Sequence, residues 1–115
     1  MMELVDTHTH LNDAKFCGHE QEAIERAREN GVTRIINMGD TLESSAKAVE
    51  LAAAYEGVYA GVGIHPEEAF LLTSREDDQL VAWTKQPRVV AIGEIGLDYY
   101  WEKDQEKRQL QQQVF

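Results

Sequence analysis

Two histidines one residue apart, His8 and His10, stand in the string Leu4-Val5-Asp6-Thr7-His8-Thr9-His10 near the start of the chain. Side chains alternate along a strand, so Asp6, His8 and His10 share a face, the two histidine backbones about 7 Å apart. Two imidazoles at that spacing can converge on one cation. They can equally be hydrogen-bonded residues of a core or loop, because short motifs also arise by chance. Other metal-ligating groups arriving at the same place would separate the two readings. Two candidates are His65, in Ile64-His65-Pro66, and Glu94, directly after Ile92-Gly93. A carboxylate so soon after the apolar run Val89-Val90-Ala91-Ile92 is costly if buried, unless it is paired or holds a metal.

Those residues need a frame. After the first strand and a polar connection, Ala23, Ile24 and Ala27 set an apolar stripe at helical spacing over 19–30, ended by Gly31. His19 falls at the polar start of that helix, as a surface residue. Thr33 to Met38 reads as a second strand. Asp40 and Glu43 have the spacing of a capping box for a helix running to about Tyr55, with Leu42, Ala46, Val49 and Ala53 on its buried face. Val58 to Ile64 is a third strand, where Gly61 and Gly63 permit close backbone approach. Ser74 and Asp77 open another helix, with Leu80, Val81 and Trp83 inward, before Pro87. Val89–Ile92 is the fourth strand, and a last helix begins near Lys103.

Strands alternating with helices predict an α/β fold: a parallel sheet with right-handed crossovers, its mostly apolar strands covered on both faces. The units recur about every 30 residues, and eight would make roughly 240, the size of a (β/α)₈ barrel of TIM type. The expected architecture is therefore the first four βα units of such a barrel, with residues 1–115 forming its amino-terminal half. The helix ending on Leu110, Val114 and Phe115, with no capping glycine, points the same way. In that frame His8, His10, His65 and Glu94 all lie at the carboxyl ends of strands, where barrel enzymes carry their reactive groups.

Composition narrows the function. The chain has 115 residues, 43% hydrophobic, enough for one domain with a core. Its net charge of −10 counts against a sequence-independent coat on nucleic acid, though bound metal ions can reverse the local field. Lys103, Lys107 and Arg108 alternate with Glu102, Asp104 and Glu106, the pattern of a solvated helix face. No apolar run approaches a membrane span, and Cys17 is the only cysteine, so a reducing, cytoplasmic compartment is expected. Cys17 itself reads as incidental.

The strings Val5-Asp6-Thr7-His8-Thr9-His10-Leu11, Gly61-Val62-Gly63-Ile64-His65-Pro66 and Gly93-Glu94-Ile95-Gly96-Leu97-Asp98-Tyr99-Tyr100 together resemble the signatures of TatD-type metal-dependent deoxyribonucleases. The resemblance implies a metal-dependent hydrolase acting on phosphodiester bonds of DNA. His8 and His10 would bind one divalent metal, Glu94 would bind or bridge two, and His65 would sit beside the metals or touch a substrate phosphate. The donors do not choose among Mg, Mn and Zn. Asp6 would orient an imidazole or be a buried, hydrogen-bonded strand residue. Asp98 would hold its loop or face the site. Tyr99, Tyr100 and Trp101 would stack on bases or pack against the barrel. Family members bring two more histidines and an aspartate from later strands, the aspartate activating water; here the last histidine is His65. No catalytic base is therefore assigned, and the chain alone is expected to bind metal weakly and cleave little.

Two other readings compete. One keeps the fold and changes the ester, to a phosphate monoester or an aminoacyl-tRNA. The other is a truncated, non-catalytic metal-binding or interaction remnant that pairs through its open sheet edges.

Overall fold

A computed structural model describes residues 2–72 and 74–115 of the chain. The elements are β1 (Leu4–Thr9), α1 (Glu20–Glu29), β2 (Val32–Met38), α2 (Leu42–Ala54), β3 (Val58–Val62), α3 (Ser74–Thr84), β4 (Val89–Ile92) and α4 (Gln105–Val114). Short 3-10 turns, Ala14–Phe16 and Pro66–Leu71, follow the first and third strands. The four strands are parallel and lie in chain order, β1-β2-β3-β4, so each βα unit adds one stave beside the last. This is the parallel βα arrangement expected from the sequence.

The helices begin and end for local reasons. Gly31 and Gly57, at φ of 90° and 80°, turn the chain out of α1 and α2 into the following strands. The capping box of α2 is formed by Thr41 and Ser44, one residue later than the Asp40–Glu43 pairing expected. Asp40 instead accepts a hydrogen bond from the Ser44 hydroxyl. The last helix starts at Gln105, because the Asp104 carboxylate caps the backbone of Glu106 and Lys107.

Two apolar clusters make the core. Leu11, Ile24, Ile35, Leu51 and Val58 form one, and Ala48, Val49, Ala52, Ala60 and Val62 form the other. α2 faces both, through Leu51 to the first and through Ala48, Val49 and Ala52 to the second, with Ser45 also buried, whereas Ala46 and Ala53 are exposed. The expected face was turned because hydrophobicity alone ranks a serine outside. Ser45 is fully buried, and its hydroxyl bridges the Gly63 backbone, donating to the carbonyl at 3.1 Å and accepting from the N–H at 3.2 Å. Ser45→Ala strands both buried groups and is expected to lower stability by about 1–3 kcal/mol in urea denaturation. An unchanged midpoint would show the bridge to be dispensable.

Cover on both faces is found only at the centre of the sheet. β2 and β3 hold the buried strand residues, while Leu4, Val5, Val90 and Ile92 on the outer strands are 46–53% exposed. Each of these strands lacks a neighbour on one side. α3 likewise buries no residue fully: Leu80 and Trp83 pack on the second cluster, but Val81, expected inward, is exposed.

Candidate metal centre

Beyond the strands the backbone ladder continues and gathers their carboxyl ends. The N–H of Gly39 donates to Gly61, that of Gly93 to Val62 and that of His65 to Asp40, at 2.8–2.9 Å. The Glu94 N–H crosses to the Gly39 carbonyl at the end of β2. This crossing requires β3 to leave room. A Cβ on Gly63 would stand 2.7 Å from the Gly93 carbonyl carbon and 2.9 Å from the Glu94 carbonyl oxygen. With glycine there, the end of β4 closes toward β1, where the histidines are.

Three donor atoms converge as a result. His8 Nε2 and His10 Nε2 are 3.2 Å apart, and the Glu94 carboxylate lies 3.8 Å from the first and 3.5 Å from the second. Donors each about 2.1 Å from one ion stand roughly 3–3.5 Å from one another, so this set fits a divalent cation. The His10 ring is turned for that task. Its Nδ1 faces the Met38 carbonyl at 3.1 Å, and a carbonyl can only accept. Nδ1 therefore carries the hydrogen and Nε2 offers its lone pair to the cluster. All three side chains keep an open side, 53%, 42% and 27% exposed.

Comparison with known proteins identifies the family. The sequence model described as "TatD related DNase" matches residues 5–115. The chain belongs to the TatD-related DNase family. It is 40% identical to the uncharacterized metal-dependent hydrolase YabD of Bacillus subtilis, over 97% of this chain and 43% of YabD. It is 35% identical to the 3'-5' ssDNA/RNA exonuclease TatD of Cronobacter sakazakii, over 84% of this chain and 36% of that protein. The crystal structure of YJJV, a TatD homologue from Escherichia coli K12, superposes with a TM-score of 0.83 at 33% identity, covering 96% of this chain and 43% of YJJV. This TatD-family chain thus spans about two fifths of the length of these relatives, and its fold is that of the first four βα units of a TIM-type barrel.

Other residues singled out in the TatD signatures take different places. Asp6 is exposed, and its carboxylate accepts from the His8 backbone N–H at 3.2 Å rather than from a ring. A register slip between Asp6 and Thr9 inserts an extra residue in β1, so simple alternation fails there. His65 lies outside the three-donor cluster found among the described residues. Its Nδ1 accepts from the Glu67 N–H at 3.1 Å, leaving Nε2–H as its free donor. His19 is on the surface as expected, beside Glu22.

Asp98 holds its loop, accepting from the N–H groups of Tyr100 at 3.0 Å and Trp101 at 3.1 Å. The Trp101 bond is the largest cause that keeps this carboxyl below its ordinary value; smaller ones are Glu67, the Tyr100 bond and the charge of His65. A depressed folded value means the loop gains stability above the ordinary carboxylate range and loses it as pH falls through the lowered value. Asp98→Asn is therefore expected to flatten the acid limb of Trp101 fluorescence; a limb identical to wild type would contradict this.

Several supporting residues left no sequence signal. Asn37 is fully buried, and its side-chain oxygen takes hydrogen bonds from the Thr9 hydroxyl and the Leu11 N–H. Asn12 donates to the Met38 carbonyl, the same one His10 uses, and to that of Ser44. A groove of about 700 Å³ runs from His10 and Glu94 past Asp13, Asp40 and Glu50, with Lys47 its lone base. Its negative lining disfavours an anionic substrate until a cation is present.

Proposed function

We propose that this chain is the amino-terminal half of a hydrolase that cleaves phosphodiester bonds of nucleic acid, DNA in the first place. In this reading His8, His10 and Glu94 would hold a divalent cation, and Glu94 would bind or bridge two. The observation that carries it is the convergence of two imidazoles and a carboxylate at the carboxyl ends of β1 and β4. The names of relatives, metal-dependent hydrolase and 3'-5' ssDNA/RNA exonuclease, support the reaction class. Such ions, when bound, polarise a phosphoryl oxygen and supply a water that ionises near neutral pH.

The chain's own residues position and orient. The Met38 carbonyl fixes the His10 ring, and the Glu94 backbone bond to Gly39 fixes the carboxylate opposite it. His65 offers Nε2–H to a phosphate oxygen. No general base is assigned among residues 1–115. The chain by itself is therefore expected to bind metal and to leave a single-stranded oligonucleotide intact, whereas a whole barrel cleaves it. Steady metal-dependent cleavage by the 115-residue chain, abolished in His8→Ala, would refute the half-site reading. Preference of the whole barrel for a phosphate monoester or an aminoacyl ester would refute the substrate. The half-exposed strands β1 and β4 are also proposed to drive self-association, read by sedimentation as a weight that rises with concentration.

A further inference from the structure

We propose that Tyr100 and Trp101 form a stacking platform for bases of a single-stranded nucleic acid, on the loop that leaves Glu94. The proposal rests on the nuclease reading and states how that site grips a strand. Both rings are 73% exposed, among the largest apolar surfaces the chain shows to solvent. They meet edge to face, with centroids 4.7 Å apart and planes at 90°, so one ring's edge covers a face of the other while both keep most of their area in solvent.

The loop beneath them is held, not loose. Asp98 caps the backbone of both residues. Gln111, 2% exposed, donates to the Asp98 carbonyl and accepts from its N–H. Arg108, expected on a solvated face, instead reaches the carbonyls of Glu102 and Tyr99 and lies 4.8 Å over the Tyr99 ring. A loop whose backbone is held before binding loses less entropy when it binds.

Charge selects the occupant. The chain carries −10, and the groove beside the cluster is acidic, so away from bound cations the chain's own surface attracts phosphates weakly. Stacking can supply the grip, because every base has a π-face, and a base is available only where the strand is unpaired. Lys103 sits 5.8 Å over the Tyr100 ring, while Glu102 and Asp104 each engage a carboxylate oxygen with backbone N–H groups.

The test compares an octathymidylate with an abasic octamer of equal phosphate count, by anisotropy with Mg²⁺, Mn²⁺ or Zn²⁺, on the 115-residue chain. The base-bearing strand is expected to bind about tenfold tighter. Trp101→Ala and Tyr100→Ala should each shrink that gap, and Trp101→Phe, which keeps a ring, should retain most of it. Trp101 emission, isolated in a Trp83→Phe background, should be quenched by the thymidylate alone. Equal binding of the two strands would overturn the platform and leave the nuclease reading standing. Binding of neither, with any of the metals, would overturn both. Loss of self-association in Trp101→Ala would also overturn the platform, since the rings would then be covered by a second copy.

Discussion

Glu94→Gln is expected to weaken divalent-cation binding by more than about a hundredfold, since loss of even an outer partner of a metal ligand costs about 10–100-fold. The substitution keeps size and the backbone bond to Gly39, so the fold has no reason to change. It removes the only negative charge of the three-donor cluster. A ligand that binds only the folded chain adds about 2.7 kcal/mol of stability at a hundred times its Kd. The original chain should therefore melt higher with Zn²⁺ or Mn²⁺, and the variant should not. His8→Ala and His10→Ala should behave as Glu94→Gln does; His19→Ala, remote from the cluster, should bind metal normally. Equal calorimetric affinities across the set would refute the assignment.

Gly63→Ala tests the positioning of that carboxylate rather than its chemistry. The added methyl would press on the carbonyls of Gly93 and Glu94 at 2.7–2.9 Å, and those atoms are backbone, which yields poorly. Overpacking of this kind costs about 1–3 kcal/mol. Because the atoms displaced belong to Glu94 and its neighbour, metal affinity should fall as well, by about 10–100-fold as for other supports of a ligand. Urea denaturation reads the first effect and calorimetry the second. A less stable variant with unaltered metal affinity would show that Glu94 is placed independently of β3.

What could be read from the sequence follows from where each signal lies. The strands were legible because Ile35-Ile36 is an apolar run between Gly31 and Gly39, and Val89-Val90-Ala91-Ile92 one between Pro87 and Gly93. The clustering of His8, His10 and Glu94 was legible because they fall in short strings at strand ends. Ser45, Asn37 and Gln111 were not, since each is a polar residue buried by a partner far along the chain: Gly63, Leu11 and Asp98. The same blindness turned α2 the wrong way, because its inner face includes a serine and its outer face two alanines. Asp6 was misjudged because alternation presumes an unbroken register, which β1 does not keep. Arg108 looked like one more charge on a mixed helix face, and only the folded loop shows the carbonyls it holds.

Whether His8, His10 and Glu94 form one divalent-cation site can be read directly from the four histidines of the chain. Paramagnetic Mn²⁺ titrated into the labelled protein broadens the imidazole resonances nearest the ion. His8 and His10 are expected to broaden first and together at substoichiometric Mn²⁺, while His19 stays sharp. Broadening that begins instead at Asp13, Glu43 and Glu50 in the acidic groove, with His8 and His10 no more affected than His19, would contradict it.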